Sequence, residues 1–493
     1  MSDAERAQQA ADWGYEALGA PLPEELDVRA LADAVLFPPL SSGGPGAARA
    51  QAQLEGGQSE AAAGDNEQGD PRAPAPTATA LRALLSCAVI AAGYAWMWHM
   101  RLLLPAWQAV LCWLAIGTAY FGLFQGVGGD AARGALLASR PRLRDALGAL
   151  VMAPALWSFA SWRARWWCFV RQPNLLVDAY DEWWMDGSTR SGATAPFHVR
   201  PLTLRRLESF HPLHRRLHRL VRATPLRFFG PSLASWFRSW DALNLRRWDA
   251  ADRLPALFSW TVPMAFVVLA WPPLARFGAA VAGADSALAG LAVAWLGPWM
   301  VFHMWTSLLA LAQRTGPHAV WARQAGTVAQ AAGGGCYDHS RALLGACATL
   351  SLPRWLEVLI HDANYHLPAS VAAVCSILGT PGYAGEGGAG AGAGPCAVPS
   401  PRLRAAHARL RARLGPYLTE GRLLRPRLLS NLATRWVVFD EHGSGTYMDW
   451  DDALEALREE RRQAREERRQ AREGAGVGGG ADGETGAAAA AAT

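Results

Sequence analysis

The chain has 493 residues, of which 51% are hydrophobic, and a formal net charge of +5 at pH 7. That charge is small for the length and leaves no electrostatic footprint for nucleic acid, while a mean hydropathy of +0.03 is high for a soluble chain with long Gly/Ala tracts. The seven cysteines (Cys87, Cys112, Cys168, Cys336, Cys347, Cys375 and Cys396) are odd in number and form no C-x-x-C pair, which argues against a disulfide framework or structural zinc.

The start is acidic and has no apolar core, so it reads as neither a secretory signal nor an Arg/Ser-rich transit peptide. Residues 1–40 are predicted as a soluble head with a helix near 27–36. Residues 41–78, rich in Gly, Ala, Pro, Gln and acid, are a disordered insert that buries too little apolar surface to offset its ordering entropy. A membrane domain then runs over 79–450. Its first apolar stretches, 82–104 and 106–127, are split by Arg101 and Pro105, and each is long enough to cross a bilayer. Residues 145–160, with Pro154 inside, read as an interfacial or re-entrant helix, and 161–253 as an Arg- and Trp-rich surface layer. A second hairpin is predicted at 255–277 and 284–312. It is followed by a Gly/Ala-rich connection (319–349) and, later, by a low-complexity insert (380–399). Residues 451–473, with E-E-R-R-Q-A-R repeated, are a charged helix, and 474–493 a disordered tail. The expected fold is an all-α membrane protein: four transmembrane helices in two hairpins plus a helical cap on one side. The 23 tryptophans suit the two membrane–water interfaces, and Trp162, Trp166, Trp167, Trp183 and Trp184 are expected in a layer at headgroup level.

The stretch "LPRWLEVLIHDANYHLPAS", 352–370, carries His361 and His366 five residues apart, with Asp362 beside the first. A metal site, its remnant and an ordinary polar turn are all open readings. In "FHPLHRRLHRLVR", His211, His214 and His218 share a helix face. The interleaved Arg215, Arg216 and Arg219 favour a basic amphipathic helix lying on anionic lipid over a metal patch. "GVGGDAARG" imitates a phosphate loop but follows a membrane helix and has no Lys.

Several strings, in order over about residues 15–450, carry a family resemblance: "GAPLPEELDVRAL", "GTAYFGLFQGVGGDAARGAL", "SWRARWWCFVRQPN", "NLRRWDAAD", "LAWPPL", "HMWTSLLALAQRTGPH", "PRWLEVLIHDANYHLP" and "PSPRLRAAHARL". Together they resemble the membrane fatty acid (acyl-lipid) desaturases, closest to the plastid-type omega-6 enzymes. The resemblance implies two irons at one membrane face, held by eight histidines in the motifs H-D-x-x-H, H-D-x-H-H and H-x-x-H-H. It also implies acyl lipids as the molecules handled and a chloroplast membrane as the location. This chain departs from the motifs. The first falls on Gly129, Asp130, Ala131, Ala132 and Arg133. The second falls on Trp166, Trp167, Cys168, Phe169 and Val170. The third falls on His366, Leu367, Pro368, Ala369 and Ser370, so one histidine of eight is kept. An accessory pair becomes Gln313 and Arg314, with His318 kept after it.

The expectation is therefore a non-catalytic family member without a cofactor. Its partners would be membrane lipids, acyl chains or an active desaturase, and not nucleic acid. The alternative is an active desaturase-type oxidoreductase with iron in a rebuilt site of His318, His361 and His366, aided by Asp362 or Asp130. A third reading is an unrelated structural membrane protein. In the non-catalytic reading Arg133 pairs with Asp130 or Asp362, and apolar side chains fill much of the vacated centre.

Overall fold

The computed structural model describes residues 2–20, 75–101, 105–171, 202–240, 250–316, 347–379, 398–435, 437–440 and 447–478. The expected helix near 27–36, Trp183, Trp184, His318, the 380–397 part of the low-complexity insert and residues 479–493 fall outside these. Four helices are long and apolar enough to span a bilayer, as expected: Pro76–His99, Ala106–Arg133, Leu257–Ala282 and Ala287–Arg314.

In chain order the helices are α1 (Asp3–Trp13), α2 (Pro76–His99), α3 (Ala106–Arg133), α4 (Pro141–Met152), α5 (Phe159–Arg171), α6 (Leu204–Ser209), α7 (Pro212–Arg222) and α8 (Gly230–Ser239). They continue with α9 (Ala250–Ala282), α10 (Ala287–Arg314), α11 (Arg354–Leu359), α12 (His366–Gly379), α13 (Leu403–Leu414), α14 (Pro426–Thr434) and α15 (Trp450–Gly478). Both α3 and α10 contain one π turn, at Phe124–Gly128 and Ala292–Leu296.

Helices α2/α3 and α9/α10 form the two hairpins, and α3 and α10 pack together at the centre. Without a hydrophobic driving force between helices in lipid, close backbone approach decides such contacts. Gly117 supplies it, since a Cβ there would lie 2.5 Å from the Pro298 carbonyl oxygen. Helices α2 and α9 are the outer pair: 11% and 17% of their spans are buried, against 56% and 44% for α3 and α10.

The loop ends of both hairpins meet. Trp98 stacks on Phe277 with ring centres 5.7 Å apart, and Trp113 Nε1 donates to the Val293 carbonyl at 2.8 Å. At the other end Arg82, Arg133 and Arg314 all face the cap, so both hairpins open toward it. Trp96, Trp98 and Trp107 are exposed at the loop end, as suits a membrane–water interface, and Trp355 is exposed at the cap end. Trp162 and Trp166 do not join a belt, contrary to the sequence expectation. Both are buried, Trp162 in the main core beside Phe124 (4.5 Å).

Residues 145–160 are not one helix. Helix α4 ends in a 3₁₀ turn holding Pro154, and Leu156 takes a left-handed conformation (φ 57) before α5 begins.

The cap adds two small three-stranded sheets that hydropathy did not reveal: β1–β4–β3 and β2–β5–β6. In the first, β1 (Tyr15–Ala17) pairs antiparallel with β4 (Glu420–Arg422), and β3 (Thr349–Ser351) pairs parallel with β4. Tyr15 sits in the same core as α3 and α10, so the described part of the amino-terminal segment is packed onto the membrane domain. The second sheet joins β2 (Leu202–Thr203), β5 (Val438–Phe439) and β6 (Tyr447–Met448).

Candidate functional site

The last turn of α3, Gly129–Arg133, emerges from the bilayer-spanning stretch into the cap and is stopped by Gly134 (φ 83). Asp130 there is almost fully buried, so its carboxylate must be paired. It accepts from Arg133 Nη2 at 2.5 Å, from the Ser400 backbone N–H at 3.0 Å and from Ser400 Oγ at 2.8 Å. The Arg133 guanidinium also sits 5.6 Å from the Trp166 ring, and Trp166 meets His366 edge-to-face at 4.7 Å. Helix α10 ends alongside with Gln313 and Arg314, and Gln313 Nε2 donates to the Asn364 carbonyl at 3.3 Å.

These segments, distant in sequence, enclose one cavity of about 80 Å³. Gly129 and Arg133 from α3, Trp162 and Trp166 from α5, Thr306, Gln313 and Arg314 from α10, and Ala363 and His366 line it, with Phe121 and Leu309 as apolar wall. Burial, then Arg314 and Arg133, push the His366 imidazole well below its usual pKa and keep it neutral. Ala369 and Ser370, also buried on α12, stand behind His366, and Ala369 packs in one apolar cluster with Trp166. Phe169 and Val170 lie on α5, but their side chains are outside the described set. Trp166 is the one expected filling group among the described lining residues, and the cavity is lined as well by the Arg133 and Arg314 guanidinium groups.

His361 stands apart from the cavity. Its ring fills a notch in α3 at Gly126, where a Cβ would lie 2.0 Å from His361 Nδ1, and its Nε2 meets Ser86 Oγ of α2 at 3.1 Å. Burial, then the neighbouring Arg82 cation, lower its pKa to about 3. His361 and Asp362 both adopt left-handed backbone (φ 58 and 55), a conformation that costs non-glycine residues free energy and persists only when neighbours fix it. The neighbours are charged: the partly buried Arg82, the exposed Arg354 and the buried Glu357. Asp362 accepts from Arg82 Nη1 at 2.6 Å and Arg354 Nη1 at 3.0 Å, so Arg133 pairs with Asp130 and not with Asp362. Glu357 Oε1 accepts from Tyr365 OH (2.8 Å), Asn364 Nδ2 (3.1 Å) and the Leu352 N–H (3.2 Å). This network aims the start of α12, and so His366, at the cavity. Arg82, Glu357 and Ser400 escaped sequence reading, since each acts through a partner elsewhere in the fold.

The cluster of His211, His214 and His218 does not assemble as a metal patch. His211 caps α7, accepting at Nδ1 from the Leu213 N–H (3.4 Å), while His218 stacks on Phe210 at 4.6 Å. Among the described residues no group of three or more His, Cys, Asp or Glu side chains is placed to hold a metal ion.

The chain is 26% identical over 367 residues to the sn-1 oleoyl-lipid 12-desaturase of Synechocystis, covering 74% of this chain and 84% of that protein. It is 23% identical over 350 residues to the chloroplastic omega-6 fatty acid desaturase of Spinacia oleracea, covering 71% of this chain and 63% of that protein. This chain is a relative of the membrane acyl-lipid desaturases. The Arabidopsis thaliana omega-6 desaturase matches at 23% over 366 residues, 73% of this chain and 66% of that protein. No family model matches the chain. In this desaturase relative, the cavity lies where the spans Ala106–Arg133 and Ala287–Arg314 enter the cap. Metal coordination needs lone-pair donors. Arg133 and Arg314 supply none, because a guanidinium offers only N–H donors and stays charged. Among the described lining residues the one imidazole is His366.

Proposed function

We propose that this chain is a non-catalytic member of the desaturase family, in which the two-iron centre has given way to a cavity lined by guanidinium, amide and aromatic side chains. The observation that carries the proposal is the convergence of Gly129, Arg133, Trp166 and His366, one segment from each degenerate motif, together with Gln313 and Arg314, around a single cavity. The positions expected to hold imidazoles offer one, and two fixed cations stand beside it. That donor set does not fit two irons, since a metal would have to displace or repel both guanidiniums.

A cavity lined by guanidinium and amide donors as well as by Phe121, Trp162 and Leu309 suits the polar end of a lipid whose chain runs along apolar wall. Its work is lipid binding or partnership with a catalytic desaturase, in a chloroplast membrane as the names of its plant relatives suggest. Elemental analysis of protein purified in mild detergent tests the reading. Less than one iron per chain is expected, and two irons per chain would overturn it.

A further inference from the structure

An amphipathic helix in a globular domain ordinarily turns its apolar stripe to the core and its charges to water. Helix α7 does the reverse. At 3.6 residues per turn, Leu213, Leu217 and Leu220 share one face, and they are 67%, 56% and 53% exposed. The side that meets the protein is polar. Arg215 donates from Nε to the Leu207 carbonyl at 3.0 Å and from Nη2 to the Glu208 carbonyl at 2.6 Å. His218 stacks on Phe210, and Arg219 Nη2 donates to both carboxylate oxygens of Asp451 at 3.0 Å. No residue of α7 is buried.

Placement decides what covers the leucines. The chain leaves α7 through the exposed Leu226 and enters α8, which docks on the fourth span well inside its length. There Ser232 N–H donates to Ser307 Oγ at 2.9 Å, and Ser232 Oγ meets His303 Nδ1 at 2.6 Å. Phe237 of α8 and Leu254, Leu257 and Phe258 of α9 are exposed as well. The leucine stripe is thus followed in the chain by α8, docked on the fourth span, and by the exposed apolar start of the third span's helix at Leu254, Leu257 and Phe258. The helix sequence PLHRRLHRLVR has four arginines and no acidic residue, and Arg216 is exposed beside the stripe.

We infer that α7 is an in-plane membrane anchor. Its Leu213–Leu217–Leu220 face enters the boundary between acyl chains and headgroups of an anionic leaflet on the cap side, and Arg216 reaches the headgroup oxyanions. The polar face, ordinarily left to water, is instead satisfied by the cap. A helix with a strongly apolar face and a basic flank binds such interfaces by buried apolar area and by attraction to anionic lipid. The inference holds whether or not the cavity is catalytic.

The test places a bimane probe on Leu217→Cys in the full-length chain in lipid nanodiscs, with unsubstituted labelled protein subtracted and Ser209→Cys as the exposed polar reference. Nitroxide on a shallow acyl position should quench the Leu217→Cys probe more strongly than the reference, and aqueous iodide should quench it less. Phosphatidylglycerol in place of part of the phosphatidylcholine should raise the lipid quenching about twofold. Iodide quenching equal to the reference would mean the face is open to water and overturns the anchor. Protection from both quenchers would mean that protein covers it, and overturns it equally. Lipid quenching indifferent to phosphatidylglycerol overturns the assignment to anionic lipid.

Discussion

Arg133 shows how a single position can reorganise a site. Its charge would be prohibitive alone in the interior, and Asp130, one turn earlier, compensates it at 2.5 Å. Arg133→Met leaves that carboxylate with Ser400 as its remaining described partner, so unfolding in detergent should show a loss of about 3–5 kcal/mol. The double variant Arg133→Met/Asp130→Asn should recover most of it, and equal losses in both would refute the pairing. His361 gives a pH signature. Its folded pKa of about 3 lies below the usual histidine value, so the unfolded chain takes up a proton first as pH falls. Stability is full above about 6.5 and falls by about 1.4 kcal/mol per pH unit below it. His366, also depressed, adds in the same direction. Asp362 is raised by burial and has the opposite sign, so the histidine share of the slope between pH 5.5 and 7 is the part that His361→Gln removes. Melting temperatures in detergent should drop across that window, and His361→Gln should flatten the drop. The sequence pointed to His361 and Asp362 but left their role open. Their partner Arg82 lies 280 residues from Asp362, and local pattern carries no information about such a pair.

At the scale of elements, hydropathy located all four spans and misjudged their ends for identifiable reasons. Helix α2 begins at Pro76, six residues before the expected start, because Pro is tolerated in a first helical turn and the polar Thr77 and Thr79 hid the helix from an apolar window. Helix α3 continues past 127 to Arg133 because Asp130 and Arg133 are paired inside the protein, a compensation invisible to hydropathy. The tryptophans of α5 misled in the other direction: abundance suggested an interface, but Trp162 and Trp166 fill interior volume next to the cavity. Helix contact in the bilayer makes a sharper prediction. A Cβ on Gly117 would lie 2.5 Å from both the Pro298 carbonyl oxygen and Val301 Cβ, and neither a backbone carbonyl nor a β-branched carbon can yield cheaply. Gly117→Ala should destabilise by about 1–3 kcal/mol. Gly415→Ala, where the nearest atom is the flexible Arg411 Cγ at 3.9 Å, should be close to neutral. Thermal unfolding of the two variants side by side checks the contrast, and equal melting temperatures would refute the close α3–α10 approach.

For the whole molecule, the two hairpins make sidedness a consequence of packing. Trp98 against Phe277 and Trp113 against Val293 bring the α2–α3 and α9–α10 connections to one end. The pair of Arg82 with the buried Asp362 and the cavity lined by Arg133 and Arg314 bring the opposite termini to the other. Every described cap element then hangs from that second end, and the small sheets tie it together. Strand β4, near residue 420, pairs with β1, near residue 15, so a chain crossing the bilayer four times between them must return to the side it left. An even number of crossings satisfies this, and two or four are the choices the apolar stretches allow. The four spans cannot be reduced to two without placing either the Arg101 or the Asp285 connection on the cap side. Impermeant maleimide should therefore label Arg101→Cys and Asp285→Cys from one face of sealed vesicles, and Ser209→Cys and Leu424→Cys from the other. A split within either pair would break the two-hairpin arrangement. Arg101→Cys and Asp285→Cys both labelling from the same face as Ser209→Cys would mean that neither hairpin crosses the membrane.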